Sequence, residues 1–235
     1  MGPASNISLL SQPLYSVGEA ARLLEVPTQK LRRWLDGFTV GDRTYQPVIR
    51  PERTGADEVT WAEFVEAGLL REYRAKLPLQ RLRPLIDEMR STFGVPYPLA
   101  HFQPLVDPKK RELVLKLQER VQQGVGLEAE LLLVHRGKGE WQVQWAEPVR
   151  AFLEKVEFDP DGVAERMRPL GAESPILIDP RLSFGIPQVG GVRTELLAES
   201  YASGEGFDAI AGSWGLEITD IEAAVRWELR IKRAS

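Results

Sequence analysis

Tyr15 to Asp36, YSVGEAARLLEVPTQKLRRWLD, most constrains the fold of this chain, because it reads as two helices joined by a tight turn. In the first helix Val17, Ala20, Ala21 and Leu24 recur at i, i+3, i+4 and i+7, the spacing of one apolar helix face. Ser16 suits the N-cap, and Glu19 three residues on completes a capping box. Glu25-Val26-Pro27 interrupts the pattern, and Pro27 can open a second helix where its missing N–H costs nothing. Leu31, Trp34 and Leu35 form the buried stripe of that helix, Thr28 to Leu35. Thr28, Gln29, Lys30, Arg32 and Arg33 point elsewhere.

An exposed face with three cations and no acid is what a DNA-reading second helix needs. Glutamine can hold adenine through two bonds, and arginine or lysine can hold guanine. An ordinary helical hairpin with a solvated charged face would show the same spacing. Charge favours placing a DNA face in the first half. The chain carries a net charge of -4, but residues 1–120 hold 18 Lys+Arg against 15 Asp+Glu, and residues 121–235 hold 12 against 19. Phosphate contacts supply most non-specific DNA affinity, so the acidic second half suits another partner.

At 235 residues two or three modules are expected, and 43% hydrophobic residues can bury a real core. Cysteine is absent, which excludes disulfides, thiol catalysis and cysteine-ligated zinc. No signal peptide is expected at the N-terminus, and no apolar run approaches the ~20 residues of a membrane span.

The pattern predicts a mainly α fold with small β elements (α+β), in four parts. Residues 1–14 are expected to be a flexible arm. Residues 15–100 would form a winged helix-turn-helix. In it, Asp36 to Thr60 is a turn-rich loop with strand candidates at Thr44–Tyr45 and Pro47–Ile49. Arg43, Arg50 and Arg53 lie there, either on a phosphate-gripping wing or on a solvated loop. Thr60 would cap a third helix, Trp61 to Lys76. A fourth, Leu79 to Phe93, has Pro84 mid-pattern and so a kink or a later start. Residues 101–170 form a central region. There Leu113 to Val121 suits a strand or a short helix, and Glu130–His135 and Glu140–Trp145 flank a Gly-containing turn as a β-hairpin. A short helix is expected at Val149 to Val156 and a turn at Phe158 to Gly162. Residues 171–235 form a small C-terminal unit, with short strands at Ile176–Ile178 and Gly185–Gly191. Helices follow at Thr194–Ala202, Gly206–Trp214 and Thr219–Ile231. Ile210, Ala211, Trp214, Leu216, Ile221, Ala224, Val225 and Leu229 are its expected core. Glu217, Asp220, Glu222 and Glu228 would make its outward face acidic, which suits protein binding or dimerisation better than DNA.

No phosphate-cradling glycine loop exists. His101 and His135 lie far apart and outside any metal-ligand spacing. The chain is therefore expected not to be an enzyme and to need no cofactor or metal.

Two stretches resemble known families. YSVGEAARLLEVPTQKLRRWLDG resembles the opening of MerR-type winged helix-turn-helix regulators, with a looser Asp42–Arg53 segment in place of their Gly-Tyr-Arg-Tyr-like hairpin. The C-terminal stretch from Ser174 resembles the small C-terminal domain of VapB-class bacterial antitoxins. The match runs through Asp179, Pro180, Arg181, Gly185, Pro187, Gly191, Gly204, Ala211, Ala223 and Ala224. LPLQRLRPLIDEMRSTFGVPYPLA and FDPDG also look like the longer members. The resemblance implies a cytoplasmic, dimeric antitoxin that sequesters a PIN-domain ribonuclease toxin and represses its own operon on double-stranded operator DNA. It also implies a basic side chain for the acidic pocket of the toxin, and Arg226, Arg230, Lys232 and Arg233 are the candidates. They equally suit the dipole of a helix C-terminus. On this reading Thr28, Gln29, Lys30, Arg32 and Arg33 contact DNA, and Arg22, Arg43, Arg50 and Arg53 hold phosphate. The alternative is a MerR-like transcription regulator whose later modules bind a small effector, with Trp141, Trp145, Trp214 and Trp227 lining its pocket. A protein-interaction adaptor without a DNA role is a third possibility.

Overall fold

The computed structural model describes residues 9–73, 79–101, 108–125, 132–136 and 142–233, and a mainly helical α+β fold with short paired strands. Strand β1 (Pro13–Ser16) leads into helix α1 (Val17–Leu23), and Ser16 and Glu19 complete the expected capping box. Glu25 takes a left-handed backbone (φ 52°) to turn the chain, and α2 (Thr28–Asp36) follows with Leu31, Trp34 and Leu35 buried. β2 (Phe38–Val40) and β3 (Arg43–Tyr45) then pair around the two-residue loop Gly41-Asp42. Gly37, at φ 71°, lets this hairpin close, since a Cβ there would strike the carbonyl of Tyr45. β4 (Glu58–Thr60) pairs back onto β1, with Tyr15 opposite Val59.

Two expectations for this region change. Leu9 and Leu10 are buried and Pro13 to Ser16 is strand, so the described part of the supposed arm, residues 9–14, is anchored. Residues 1–8 lie outside the described residues. Pro47–Ile49 is not a strand, because Val48 and Ile49 donate their backbone N–H groups to the Trp34 carbonyl near the end of α2 (2.9 and 3.0 Å). That carbonyl lacks an intrahelical partner of its own.

Helix α3 (Trp61–Tyr73) is the central post of the molecule, buried on nearly every side. Thr60 and Glu63 cap it reciprocally. After a 3-10 turn at Leu79–Arg81, α4 (Arg83–Phe93) starts late, with Pro84 in its first turn. The stretch around Leu113 to Val121 belongs to the long helix α5 (Pro108–Val125). The central hairpin is β5 (Leu133–Arg136) against β6 (Gln142–Trp145), and the expected turn residues 137–139 lie outside the described residues. Helix α6 (Glu147–Leu153) packs on α3. Gly68 faces this contact, where a Cβ would lie an ordinary 3.6 Å from Phe152 and a tighter 3.2 Å from the flexible end of Met167. A hairpin absent from the sequence reading, β7 (Val156–Phe158) with β8 (Ala164–Met167), spans the turn at Asp159–Gly162. The indole of Trp61 donates to the Ala164 carbonyl (2.8 Å), pinning α3 to this hairpin.

The C-terminal unit begins with single bridges, Met167 to Ile178 and Leu177 to Gln188. β9 (Gln188–Val189) and β10 (Val192–Arg193) turn through Gly190-Gly191, and α7 (Thr194–Ala202), α8 (Phe207–Trp214) and α9 (Ile218–Arg233) complete it. Ile210, Ile221, Ala224 and Val225 are buried as expected, and Ala211 and Leu216 pack partly buried against them. Trp214 and Leu229 are instead surface residues, 43% and 52% exposed. Trp227 takes the core position. Glu228, expected outside, is buried and accepts a 2.6 Å hydrogen bond from Thr194.

This unit rests on the helix-turn-helix. Tyr15 donates to the Gly185 carbonyl (2.6 Å) across 170 residues of chain, and Arg22 lies 3.8 Å from Glu228. One hydrophobic cluster runs through both parts.

Candidate nucleic-acid interface

The candidate interface is built outward from the buried stripe of α2. Burying Leu31, Trp34 and Leu35 turns Thr28, Gln29, Arg32 and Arg33 to solvent, with Lys30 half-buried beside them. Two of these cations are held over rings. The Lys30 ammonium lies 5.5 Å from the Trp34 ring centre, and the Arg33 guanidinium lies 5.0 Å from Phe38. Phe38 in turn stacks on Tyr45 (4.5 Å, 12° between planes) across the β2–β3 hairpin. A cation seated on an aromatic face keeps its charge and loses rotamer freedom. Arg33 is therefore oriented by the hairpin, and the recognition helix and hairpin act as one surface. Phe38 and Tyr45, either side of Gly41-Asp42, were the sequence signal for that coupling.

Arg43 is exposed on the hairpin, with exposed Val40 at its tip, and Arg53 is exposed in the loop that leads to β4. Arg32 forms a surface ion pair with Asp57, an acid the sequence reading did not single out. Arg22 is partly covered, and its nearest acid is Glu228.

Arg50 is corrected. It is 2% exposed and cannot reach a phosphate. Its guanidinium donates to both Asp36 oxygens (3.0 Å each), to Glu63 (2.9 Å), to Thr54 (2.7 Å) and to the carbonyls of Ala56 and Glu58. Asp36 ends α2, Thr54 and Ala56 lie in the loop before β4, Glu58 opens β4, and Glu63 caps α3. Arg50 therefore ties the recognition helix to the central post. Burial alone would raise the Asp36 pKa, but the backbone N–H groups of Gly55 and Thr54, together with Arg50, hold it below the usual carboxylate value. Next to this clamp, Glu66 is fully buried, and desolvation pushes its pKa up to about 8 despite the Arg90 guanidinium 4.0 Å away and the backbone N–H of Leu99.

The four C-terminal cations divide. Arg230 bonds to Glu25 (2.6 Å), which also accepts from Arg71 (2.9 Å), so it joins α9 to the turn of the helix-turn-helix while its side chain stays 50% exposed. Arg226 pairs with Glu222 on its own helix, while Lys232 and Arg233 are exposed at the end of α9. Among the tryptophans of the effector alternative, Trp141 and the side chain of Trp145 lie outside the description. Trp227 is core and Trp214 surface, so these two do not line one pocket. No group of metal-binding side chains occurs among the described residues, and no described helix is long and apolar enough to cross a membrane.

These features define a helix-turn-helix DNA-binding domain, and a family model described as "Putative DNA-binding HTH domain" matches residues 13–86. Over nearly its whole length the chain is similar to two Mycobacterium tuberculosis proteins. One, named "Uncharacterized protein Rv2308", is 28% identical across 97% of this chain and 94% of its own length. The other, named "Putative antitoxin VapB45", is 30% identical across 87% of this chain and 89% of its own. The X-ray crystal structure of Rv2018 from the same organism superposes with a TM-score of 0.70 at 29% identity, covering 91% of this chain and 98% of that one. The chain belongs to the family of the antitoxin-named protein VapB45.

Proposed function

We propose that this protein is the DNA-binding antitoxin of a type II toxin–antitoxin pair. As a homodimer in the cytoplasm, it represses its own operon and neutralises a PIN-domain ribonuclease. The observation that carries the operator half of this reading is the exposed face of α2, with Thr28, Gln29, Arg32 and Arg33 presented beside a hairpin that orients Arg33. The kinship with a protein named as an antitoxin supports the toxin half. Arg43 supplies a phosphate contact from the wing, Arg53 one from the loop that leads to β4, and Arg22 one from the edge of α1. The wing follows the recognition helix as in MerR-type regulators. Lys232 and Arg233 are the cations offered to the acidic pocket of the nuclease. The protein itself catalyses nothing and needs no cofactor.

Fluorescence anisotropy with DNA from upstream of the gene tests the operator half. Reversing Arg32 and Arg33 to glutamate should weaken binding and lower the slope of log affinity against log salt by about two. Unchanged affinity and slope in a folded double variant would exclude α2 as the reading helix.

A further inference from the structure

Helix α9 buries one side in the C-terminal core, through Ile221, Ala224, Val225, Trp227 and Ile231. Its opposite side is open. At about 100° per residue, Ile218, Leu229, Glu222, Arg226 and Thr219 fall within a sector of roughly 100°. Ile218 is 40% exposed and Leu229 is 52% exposed, so an apolar residue sits near each end of this stripe. Glu222 and Arg226 lie between them, equidistant from position 224. Arg230 borders the stripe on one flank, where it is held by Glu25. An ion pair within the helix accounts for Glu222 and Arg226, but it leaves Ile218 and Leu229 facing water.

The stripe is complementary to itself when reversed. A second α9 laid antiparallel, with a two-fold axis at position 224, sets Glu222 against the partner's Arg226 and Arg226 against the partner's Glu222. It also brings Leu229 to the partner's Thr219, one residue from its Ile218. Both charges are then paired across the axis and both apolar ends are covered. A parallel copy would instead place Glu222 beside Glu222 and Arg226 beside Arg226. Isologous contacts of this kind are what a two-fold dimer uses. From this arrangement we infer that the exposed face of α9 is the interface between two copies of this chain. The inference deepens the operator-binding reading and rests on it, because one α2 reads only a single half-site and helix-turn-helix proteins pair to read two.

Sedimentation velocity on the full chain without DNA tests this, beside thermal unfolding as a control. The wild type should sediment as a dimer. Leu229→Lys and Arg226→Glu, both at exposed positions, should each raise the dimer dissociation constant at least tenfold with the melting temperature unchanged. The double variant Glu222→Arg with Arg226→Glu should restore the dimer, because the exchanged charges meet again across the axis. A wild type that is monomeric at micromolar concentration would overturn the inference, as would two single variants that dimerise like wild type. Loss of nuclease capture on Leu229→Lys in a chain that is monomeric throughout would assign the face to the toxin and overturn it too. A dimer weakened by these variants that binds no upstream DNA would support the interface and refute the operator reading.

Discussion

Arg50 separates an internal clamp from a DNA contact, two roles that a sequence cannot tell apart. In Arg50→Met the apolar stem is largely kept and the guanidinium is lost. Asp36 and Glu63 are left as buried carboxylates, their side chains 12% and 5% exposed. Breaking a buried ion pair by removing one partner costs about 3–5 kcal/mol. Both acids keep other donors here: Asp36 holds the N–H groups of Thr54 and Gly55, and Glu63 holds Tyr97 and the Thr60 N–H. The low end, about 3 kcal/mol, is therefore expected, a large share of the 5–15 kcal/mol that a typical domain has. Denaturant unfolding followed by tryptophan fluorescence at pH 7 measures it, with Arg53→Met as the surface control at under about 0.5 kcal/mol. The sign of the pH dependence follows from Asp36. Its folded pKa is depressed, so its contribution to stability is present above the unfolded value and is lost as pH falls through the folded one. The deficit of Arg50→Met should accordingly shrink as the solution is acidified and Asp36 takes up its proton. A variant as stable as wild type, but with the salt slope of operator binding reduced by about one, would refute the clamp and return Arg50 to the phosphate backbone.

Three further outcomes are expected. Asp57→Asn releases Arg32 from its surface partner. A pair of that kind is worth at most about 1 kcal/mol, so operator affinity should rise by up to about fivefold in a low-salt titration. Tyr15→Phe deletes the buried hydroxyl bond to Gly185 and should cost about 1–2 kcal/mol in denaturant unfolding. Glu66 has a folded pKa of about 8 against an ordinary 4.5. Folding therefore takes up a proton between these values, and wild-type stability should fall as pH rises from about 5 to 8. Glu66→Gln should flatten that decline, as measured by melting temperature across the range.

The parts of the fold that a sequence reveals are those whose chemistry is local. Pro27, the Ser16–Glu19 box and the 3.6-residue spacing place α1 and α2, and the spacing and bounding turn residues likewise place α7 at Thr194–Ala202. The β7–β8 hairpin was missed because strands of three and four residues, VEF and AERM, carry too little alternation to register. Arg50 looked like its neighbours Arg43 and Arg53 because its partners, Asp36 and Glu63, come from elements on either side of a loop. Glu228 was expected on an acidic outer face, yet it turns inward to meet Thr194, a pairing across 34 residues that no helical period reports. Leu229 and Trp214 fit an apolar pattern and still lie outside, because helical spacing places a residue on a face without saying whether that face is covered. The exposed face of α2 was legible for the opposite reason: an apolar stripe and a cationic face share one short helix.

The proposal that this chain holds a nuclease in check is tested most directly by coexpression with the product of the neighbouring gene, which the proposal expects to be a PIN-domain nuclease. After pull-down through a tag on this chain, the account predicts a stable complex in which cleavage of a single-stranded RNA is suppressed and returns when this chain is removed by proteolysis. A nuclease that does not copurify, or that copurifies and cleaves at its full rate, would contradict it.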